Sequence, residues 1–269
     1  MLRVDFDWLQ STDSMMTRLR ESQPLIQCLT NTVTTNVVAN AILAVGASPA
    51  MVDLPGEAGI LARGAGAVLI NLGTPAPDHR EAMLEAAFSA HDAGTPWVLD
   101  PVAVGSLPVR TELARRLLDL RPTLIRGNAS EIRALAGHGG GGKGVDAADA
   151  VDEARFAAGE LAQATGSVVA VSGPVDLITD GQEVVRIDNG VPLFTRITGA
   201  GCALGGVMAA FLAVGEAPLT SAVVSATVYA VAGERALARA DQPGSFAVAL
   251  LDCLSSIDAD TVIDRGRLS

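Results

Sequence analysis

The sequence predicts an α/β fold, a mostly parallel sheet covered by helices, and three observations carry that expectation. Short β-branched or apolar runs alternate with longer Ala/Leu-rich stretches of helical period, the alternation that builds strand–helix–strand units. Most of the short runs are apolar throughout, as strands covered on both faces are. The chain has 269 residues, 49% apolar and 18% charged, which is rich enough in apolar side chains for a large core and within the usual span of one α/β domain. No linker or internal repeat divides residues 1–269, so one domain is expected.

The strand runs fall at residues 24–29, 50–53, 67–71, 97–100, 123–126, 168–172 and 176–179. After the last of these, Asp180-Gly181 is a hairpin turn signal, and the run at 184–187 then makes an antiparallel edge on an otherwise parallel sheet. Helical period is read over 35–45, 78–93, 109–118, 147–165, 202–214, 219–240 and 246–255. A short helix opens at Asn128, where Asn128 and Glu131 have the spacing of a capping box, and it ends near Ala136. Residues 217–233 carry no charge, but Pro218, Thr220, Ser221, Ser225 and Thr227 make a poor membrane span and point to a buried core helix.

Composition excludes some functions. Thirty acidic against 19 basic side chains give a net charge of −11, and Lys143 is the only lysine. A basic face for a phosphate backbone is missing, and 3% aromatic residues leave few platforms for stacking bases, so nucleic acid is excluded as a partner. Cys28, Cys202 and Cys253 are an odd set without paired spacing, which argues against a disulfide framework or a zinc site and fits a reducing cytoplasm. The charged N-terminal stretch, with Arg3, Asp5 and Asp7, does not read as a secretory segment. His79, His91 and His138 lack metal-ligand spacing. The glycine run 139–142 ahead of Lys143 has Gly144 where a phosphate loop needs Ser or Thr, and it follows a helix where a strand is needed, so it reads as a connector.

The segment 197–206, ITGAGCALGG, leads from a glycine turn into an apolar helix. Backbone N–H groups at such a helix start, helped by the helix dipole, form a site for negative oxygen, and a phosphoryl group fits it. Cys202 stands where that helix is expected to begin, a position that favours a thiolate; the alternative is a small buried hydrophobe. Asp100 ends the run 97–100 ahead of Pro101, as either a magnesium ligand or a turn residue. Arg126 to Glu131 close one strand and open a helix, on the side of an α/β sheet where ligands bind. Glu131 is then either a magnesium ligand or simply half of the capping box, and Arg126 faces nucleotide phosphates in the first case. Ser172-Gly173 puts a small hydroxyl at another strand end, and a polar stretch runs from Asn31 to Asn36. Met51 reads more readily as core than as ligand contact.

Taken together, CLTNTVTTNVVAN (28–40), GASPAM (46–51), LDPVAVGSLPVRT (99–111), IRGNASEI (125–132), AVSGPVDLITDG (170–181) and ITGAGCALG (197–205) resemble the hydroxyethylthiazole kinase family of the ribokinase-like superfamily. The resemblance implies an α/β/α sandwich and magnesium-dependent transfer of phosphate from ATP to the primary alcohol of 4-methyl-5-(2-hydroxyethyl)thiazole, in thiamine salvage. It implies that Met51 and Gly199 contact the thiazole, Arg126 and Ser172 contact ATP, Asp100 and Glu131 serve the metal, and Cys202 faces the substrate hydroxyl. It also implies a homotrimer with active sites between subunits. Two positions depart from the family pattern: Ala103-Val104 stands for a commoner Gly-Ala, and Pro174 for a frequent Glu. Other expectations compatible with the same fold are a pyrimidine or pyridoxal-type alcohol kinase, an ATP-dependent dehydratase that repairs nicotinamide cofactors, and a binding protein without turnover.

Overall fold

The computed structural model describes residues 8–138, 147–215 and 217–269, with Leu9 and residues 147–152 described by backbone alone. The glycine run with Lys143 and Gly144, and the charged residues Arg3, Asp5 and Asp7, lie outside the described residues.

The strands are β1 (Leu25–Leu29), β2 (Ser48–Ala50), β3 (Ala67–Asn71), β4 (Trp97–Asp100), β5 (Leu124–Asn128), β6 (Val168–Ser172), β7 (Asp176–Thr179) and β8 (Val184–Ile187). They form one sheet in the order β2-β1-β3-β4-β5-β6-β7-β8. Pairing is parallel from β2 through β6, and β7 and β8 close the sheet as an antiparallel meander. Residues 267–269 continue along the free side of β8: the backbones of Arg186 and Ser269 exchange hydrogen bonds of 2.8 and 3.0 Å, and Ile187 bridges Leu268.

Side chains on successive strand residues point to opposite faces, and the apolar strands divide accordingly. Ala67 and Leu69 face one core with Val98, Leu124 and Val168; Val68 and Ile70 face the other with Leu99, Ile125 and Val169. The first core is closed by α1 (Trp8–Ser22), α2 (Thr35–Val45), α8 (Ala200–Leu212), α9 (Pro218–Leu237), α10 (Pro243–Ser256) and α11 (Ala259–Arg265). The second is closed by α3 (Ala58–Ala62), α4 (Pro77–Ala93), α5 (Pro108–Leu118), α6 (Ala129–Leu135) and α7 (Ala147–Thr165). The result is the expected α/β/α sandwich, and most of the uncharged stretch 217–233 lies in the largely buried helix α9. No described helix is long and apolar enough to cross a membrane.

Where boundaries differ from the sequence expectation, the cause is a tertiary contact or a proline at the helix start. The second strand is Ser48–Ala50 instead of 50–53, because beyond Ala50 the chain turns onto the buried amide of Gln27, whose Nε2 donates to Val52 O and Ala58 O at 3.0 Å each. Four helices begin earlier than expected, at Pro77, Pro108, Pro218 and Pro243. Proline suits that first position, since its missing N–H would be unpaired there anyway. Strand β5 runs on to Asn128, and α8 starts at Ala200, before Cys202. Helices α1, α3 and α11 have no counterpart in the sequence reading; α1 docks through Met15, Met16 and Leu19.

Phe211 on α8 is among the largest fully buried side chains. Phe211→Ala is expected to cost about 3–5 kcal/mol, since the surrounding helices can only partly collapse into the space; urea unfolding checks it.

Candidate active site

Every parallel strand ends at the same edge of the sheet, and that edge collects the polar residues Asn31 beyond β1, Asn71 on β3, Asp100 on β4, Arg126 and Asn128 on β5, and Ser172 on β6, with the apolar Met51 just beyond β2. The strand order reverses between β1 and β3, which leaves a crevice between helices leaving opposite faces, the usual ligand position in open parallel sheets.

Asp100 is completely buried. Its Oδ2 accepts from Asn71 Nδ2 at 2.7 Å and lies 3.6 Å from Arg126 Nη1, while its Oδ1 has no partner among the described residues. Burial pushes the Asp100 carboxyl up to about 6, against the opposing charge of Arg126, and the nearby negative charge of Glu131 adds to the rise. The Arg126 guanidinium is held from its other side by Ser172 Oγ, which accepts from Nη2 at 3.0 Å and from Nε at 3.3 Å.

The capping box expected at Asn128 and Glu131 is present. Asn128 Oδ1 accepts from Glu131 N at 3.0 Å, and Glu131 Oε2 accepts from Asn128 N at 2.9 Å. The other carboxylate oxygen, Oε1, accepts from Ala103 N at 2.9 Å. Ala103 sits in the left-handed region, with φ of 61°. The first departure from the family pattern is therefore an alanine in a conformation that suits glycine, and its N–H aims at Glu131. Each Glu131 oxygen keeps a lone pair, since a carboxylate oxygen can accept twice.

Gly199, with φ of 86°, turns the chain into α8, and no side chain caps the helix. A side chain at Gly201 would collide with Arg126, its Cβ standing 2.7 Å from Nη1. The first N–H groups of α8, which have no partner within the helix, thus share one corner with the guanidinium. Tyr229 OH donates to Ala200 O at 2.9 Å and anchors this turn from α9. Cys202 stands in the first turn, two residues inside the helix start, and its Sγ accepts from Asn31 Nδ2 at 3.4 Å. The sequence expectation of a favoured thiolate is reversed: burial, and then the charge of Asp100, push the Cys202 thiol above its ordinary value.

From Arg126 and Ser172 a cleft of about 540 Å³ runs between the β6–β7 turn, the stretch from Asn189 to Thr195, and helices α8 and α9. Pro174, the second departure, lines it, as do Phe194 and Tyr229, whose rings stack with centroids 5.1 Å apart. The wall at Asn189 is braced by the C-terminal residues and by α9: Asn189 Oδ1 accepts from Arg267 N at 2.6 Å, and its Nδ2 donates to Arg265 O at 2.9 Å and to Glu234 Oε1 at 3.2 Å.

Of the residues singled out from sequence, Asp100, Arg126, Ser172 and Gly199 to Cys202 converge on one corner, and Glu131 sits close enough to act on Asp100. Met51 is partly buried against the core and lies off the cleft, on the far side of β1. Sequence reasoning missed Asn71, Asn189, Phe194 and Tyr229. Only Asn71 had a readable signal, a polar residue closing an otherwise apolar strand, as Asp100 does.

A helix start with no side-chain cap, an arginine and two buried carboxylates beside a cleft of about 540 Å³ suit a small-molecule phosphotransferase built on an α/β/α sheet. The comparisons sharpen this. Residues 16–260 match the hydroxyethylthiazole kinase family. A hydroxyethylthiazole kinase of Clavibacter sepedonicus is 56% identical over 255 residues, covering 95% of this chain and 93% of that one. One from Kineococcus radiotolerans is 52% identical over 244 residues, covering 91% and 89%. The solved hydroxyethylthiazole kinase structure from Pyrococcus horikoshii superposes with a TM-score of 0.89 at 33% identity, over 97% of this chain and 98% of that one. A pyridoxal kinase from Staphylococcus aureus, at 19% identity and a TM-score of 0.56, covering 77% and 86%, shares the fold. The chain belongs to the hydroxyethylthiazole kinase family.

Two outcomes are expected from this geometry. Folding raises the Asp100 pKa from 3.8 to about 6, so the folded state holds that proton more tightly and the carboxylate opposes folding as pH rises through that window. Thermal midpoints taken in chelator at about pH 4 and about pH 7 should show Asp100→Asn gaining on the parent by at most about 3 kcal/mol. Ala103→Gly should stabilise the protein by roughly 0.5–1 kcal/mol, the left-handed penalty less the extra chain entropy of glycine, as read from denaturant unfolding.

Proposed function

We propose that this chain transfers the γ-phosphoryl group of ATP to the primary hydroxyl of 4-methyl-5-(2-hydroxyethyl)thiazole, giving the thiazole phosphate and ADP in thiamine salvage. The observation that carries the reading is the shared corner of Arg126 and the Gly199–Gly201 turn beside Asp100, in a chain 56% identical to a hydroxyethylthiazole kinase. Arg126 and Ser172 would bind ATP, whose base and ribose fit the cleft toward Phe194. Gly199 and Met51 would contact the thiazole on the other side of α8, and Cys202 would face its hydroxyl.

Asp100 and Glu131 suit magnesium. Both offer hard oxygen, Asp100 Oδ1 is buried without a partner, and magnesium is commonly held by one or two carboxylates with phosphate and water completing its shell. Among the described residues no cluster of three or more His, Cys, Asp or Glu forms a fuller cage. Bound magnesium supplies positive charge against the phosphate oxygens. In the transfer, the alcohol oxygen bonds to the γ-phosphorus, the bond to ADP breaks, and the hydroxyl proton leaves late, to an oxygen of the transferred phosphoryl group. Little is asked of a base, so Cys202 orients the hydroxyl and assists, while Arg126 and the first N–H groups of α8 stabilise charge on the moving phosphoryl group.

The whole chain acts as one domain and assembles as a homotrimer with sites between subunits. Support for the assembly comes from Val33 (66% exposed), Leu54 (55%) and Ile60 (75%), apolar side chains left in solvent on segments that follow Asn31 and Met51. The free cysteines suit a reducing cytoplasm.

The test is ADP release by purified protein with ATP and magnesium, with hydroxyethylthiazole, with a pyrimidine alcohol, or with neither. Thiazole-dependent ADP, with the thiazole phosphate confirmed by mass, is expected; release with the pyrimidine alone would move the substrate. Glu131→Ala should lose more than about a hundredfold of kcat at limiting magnesium, and Cys202→Ala about tenfold with thiazole binding kept. A Glu131→Ala enzyme with the parent rate would remove the metal assignment.

A further inference from the structure

Asn31 and Asn71 connect Cys202 to Asp100 through a hydrogen-bond chain in which each amide has one possible orientation. Both are buried, Asn31 at 5% exposure and Asn71 at 0%. Asn31 Oδ1 accepts from the backbone N–H of Thr34 at 3.1 Å, so its Nδ2 must point the other way. The two hydrogens on Nδ2 are both used: one is donated to Asn71 Oδ1 at 3.0 Å, the other to Cys202 Sγ at 3.4 Å. Asn71 Oδ1 also accepts from Gly73 N at 2.9 Å, which fixes the second amide and directs its Nδ2 to Asp100 Oδ2. Flipping either amide would set donor against donor and strand a buried polar atom, at a cost on the order of 1–3 kcal/mol.

The loops that carry this chain are themselves clamped. Arg110 of α5 donates through Nε to Leu72 O at 2.8 Å and through Nη2 to Gly73 O, and Thr32 N donates to Thr74 Oγ1 at 2.9 Å, joining the loop after β1 to the loop after β3. Such an investment in rigidity exceeds what a packed cysteine needs. A sulfur that merely fills space requires no donated hydrogen, and Cys28 and Cys253 sit in the core without one from any side chain among the described residues.

We propose that Asn31 and Asn71 are positioning residues that hold the Cys202 sulfur as a hydrogen-bond acceptor beside the reacting alcohol, in fixed relation to Asp100. The inference rests on the alcohol-kinase reading above and deepens it. With one side of the sulfur engaged by Asn31, the other presents to the substrate hydroxyl in a single orientation, and hydroxyl and metal-side carboxylate keep one spacing. Neither asparagine touches substrate in this arrangement; both act through other groups.

The test uses the full-length protein and four forms: parent, Asn31→Leu, Cys202→Ala and the double variant. Leucine keeps the bulk of asparagine and removes both donated hydrogens. In the ADP-release assay Asn31→Leu is expected to lower kcat about tenfold with the KM for ATP unchanged, and the double variant should match Cys202→Ala alone, because a residue acting through Cys202 has nothing left to position. In substrate-free protein, Asn31→Leu should slow iodoacetamide labelling of Cys202 roughly fivefold, since the thiolate loses one of its donors and keeps Thr34 and Asn71 beside it. Cys28 and Cys253 staying unlabelled marks an intact fold; if they react, Asn31→Ala replaces the leucine variant throughout. Losses that multiply in the double variant, a parent-like kcat for Asn31→Leu, or unchanged labelling would each overturn the proposal. A parent that labels as expected but releases no thiazole-dependent ADP would overturn the substrate reading and, with it, the assignment of an alcohol to the sulfur.

Discussion

A carboxylate buried in the middle of the sheet is the constraint on which this structure turns. Asp100 ends a strand in the middle of the sheet, fully buried, and a charge placed there must be met by other groups or be neutralised. Arg126 from the neighbouring strand and Asn71 from the strand on the other side meet it. Their own needs then recruit Ser172 and Asn31. Even so, Oδ1 is left without a partner among the described residues. In a well-packed interior an unpartnered carboxylate oxygen is costly.

Much of the fold was legible because buried parallel strands write themselves as uninterrupted apolar runs. Residues 67–71, 97–100, 168–172, 176–179 and 184–187 match the observed strands end for end, as does the helix over 35–45. The early helix starts at proline are local, but the misses at the second strand and the first helix have a common origin in contacts from distant residues. Whether the chain continues as strand after Ala50 depends on the amide of Gln27, and whether the helix 8–22 exists depends on three side chains finding the far core. Neither is written in local periodicity.

The site was legible in the same partial way. Charged residues at strand ends stand out against apolar neighbours, so Asp100 and Arg126 could be picked from sequence. The capping-box reading of Glu131 is observed, and its bonds fix the carboxylate that lies near Asp100. Cys202 taught the opposite lesson. A helix start favours a thiolate only if the thiol is open to solvent and clear of other negative charge, and here burial and Asp100 outweigh the dipole. Asn71 and Asn189 escaped notice because an asparagine gains meaning only from its partners, which, Gly73 aside, lie 29 to 78 positions away in sequence.

The two rims of the sheet are treated differently from its centre. An open sheet offers unpaired N–H and C=O groups at each outer strand, an invitation to pair with a neighbouring molecule. On one side the outermost strand, β2, is only three residues long and contains Pro49, which has no N–H to offer. On the other side, residues 267–269 lie along β8 and take up its outward-facing backbone groups. The same short tail that braces the cleft at Asn189 therefore also protects a chain half composed of apolar residues against stacking edge to edge into aggregates.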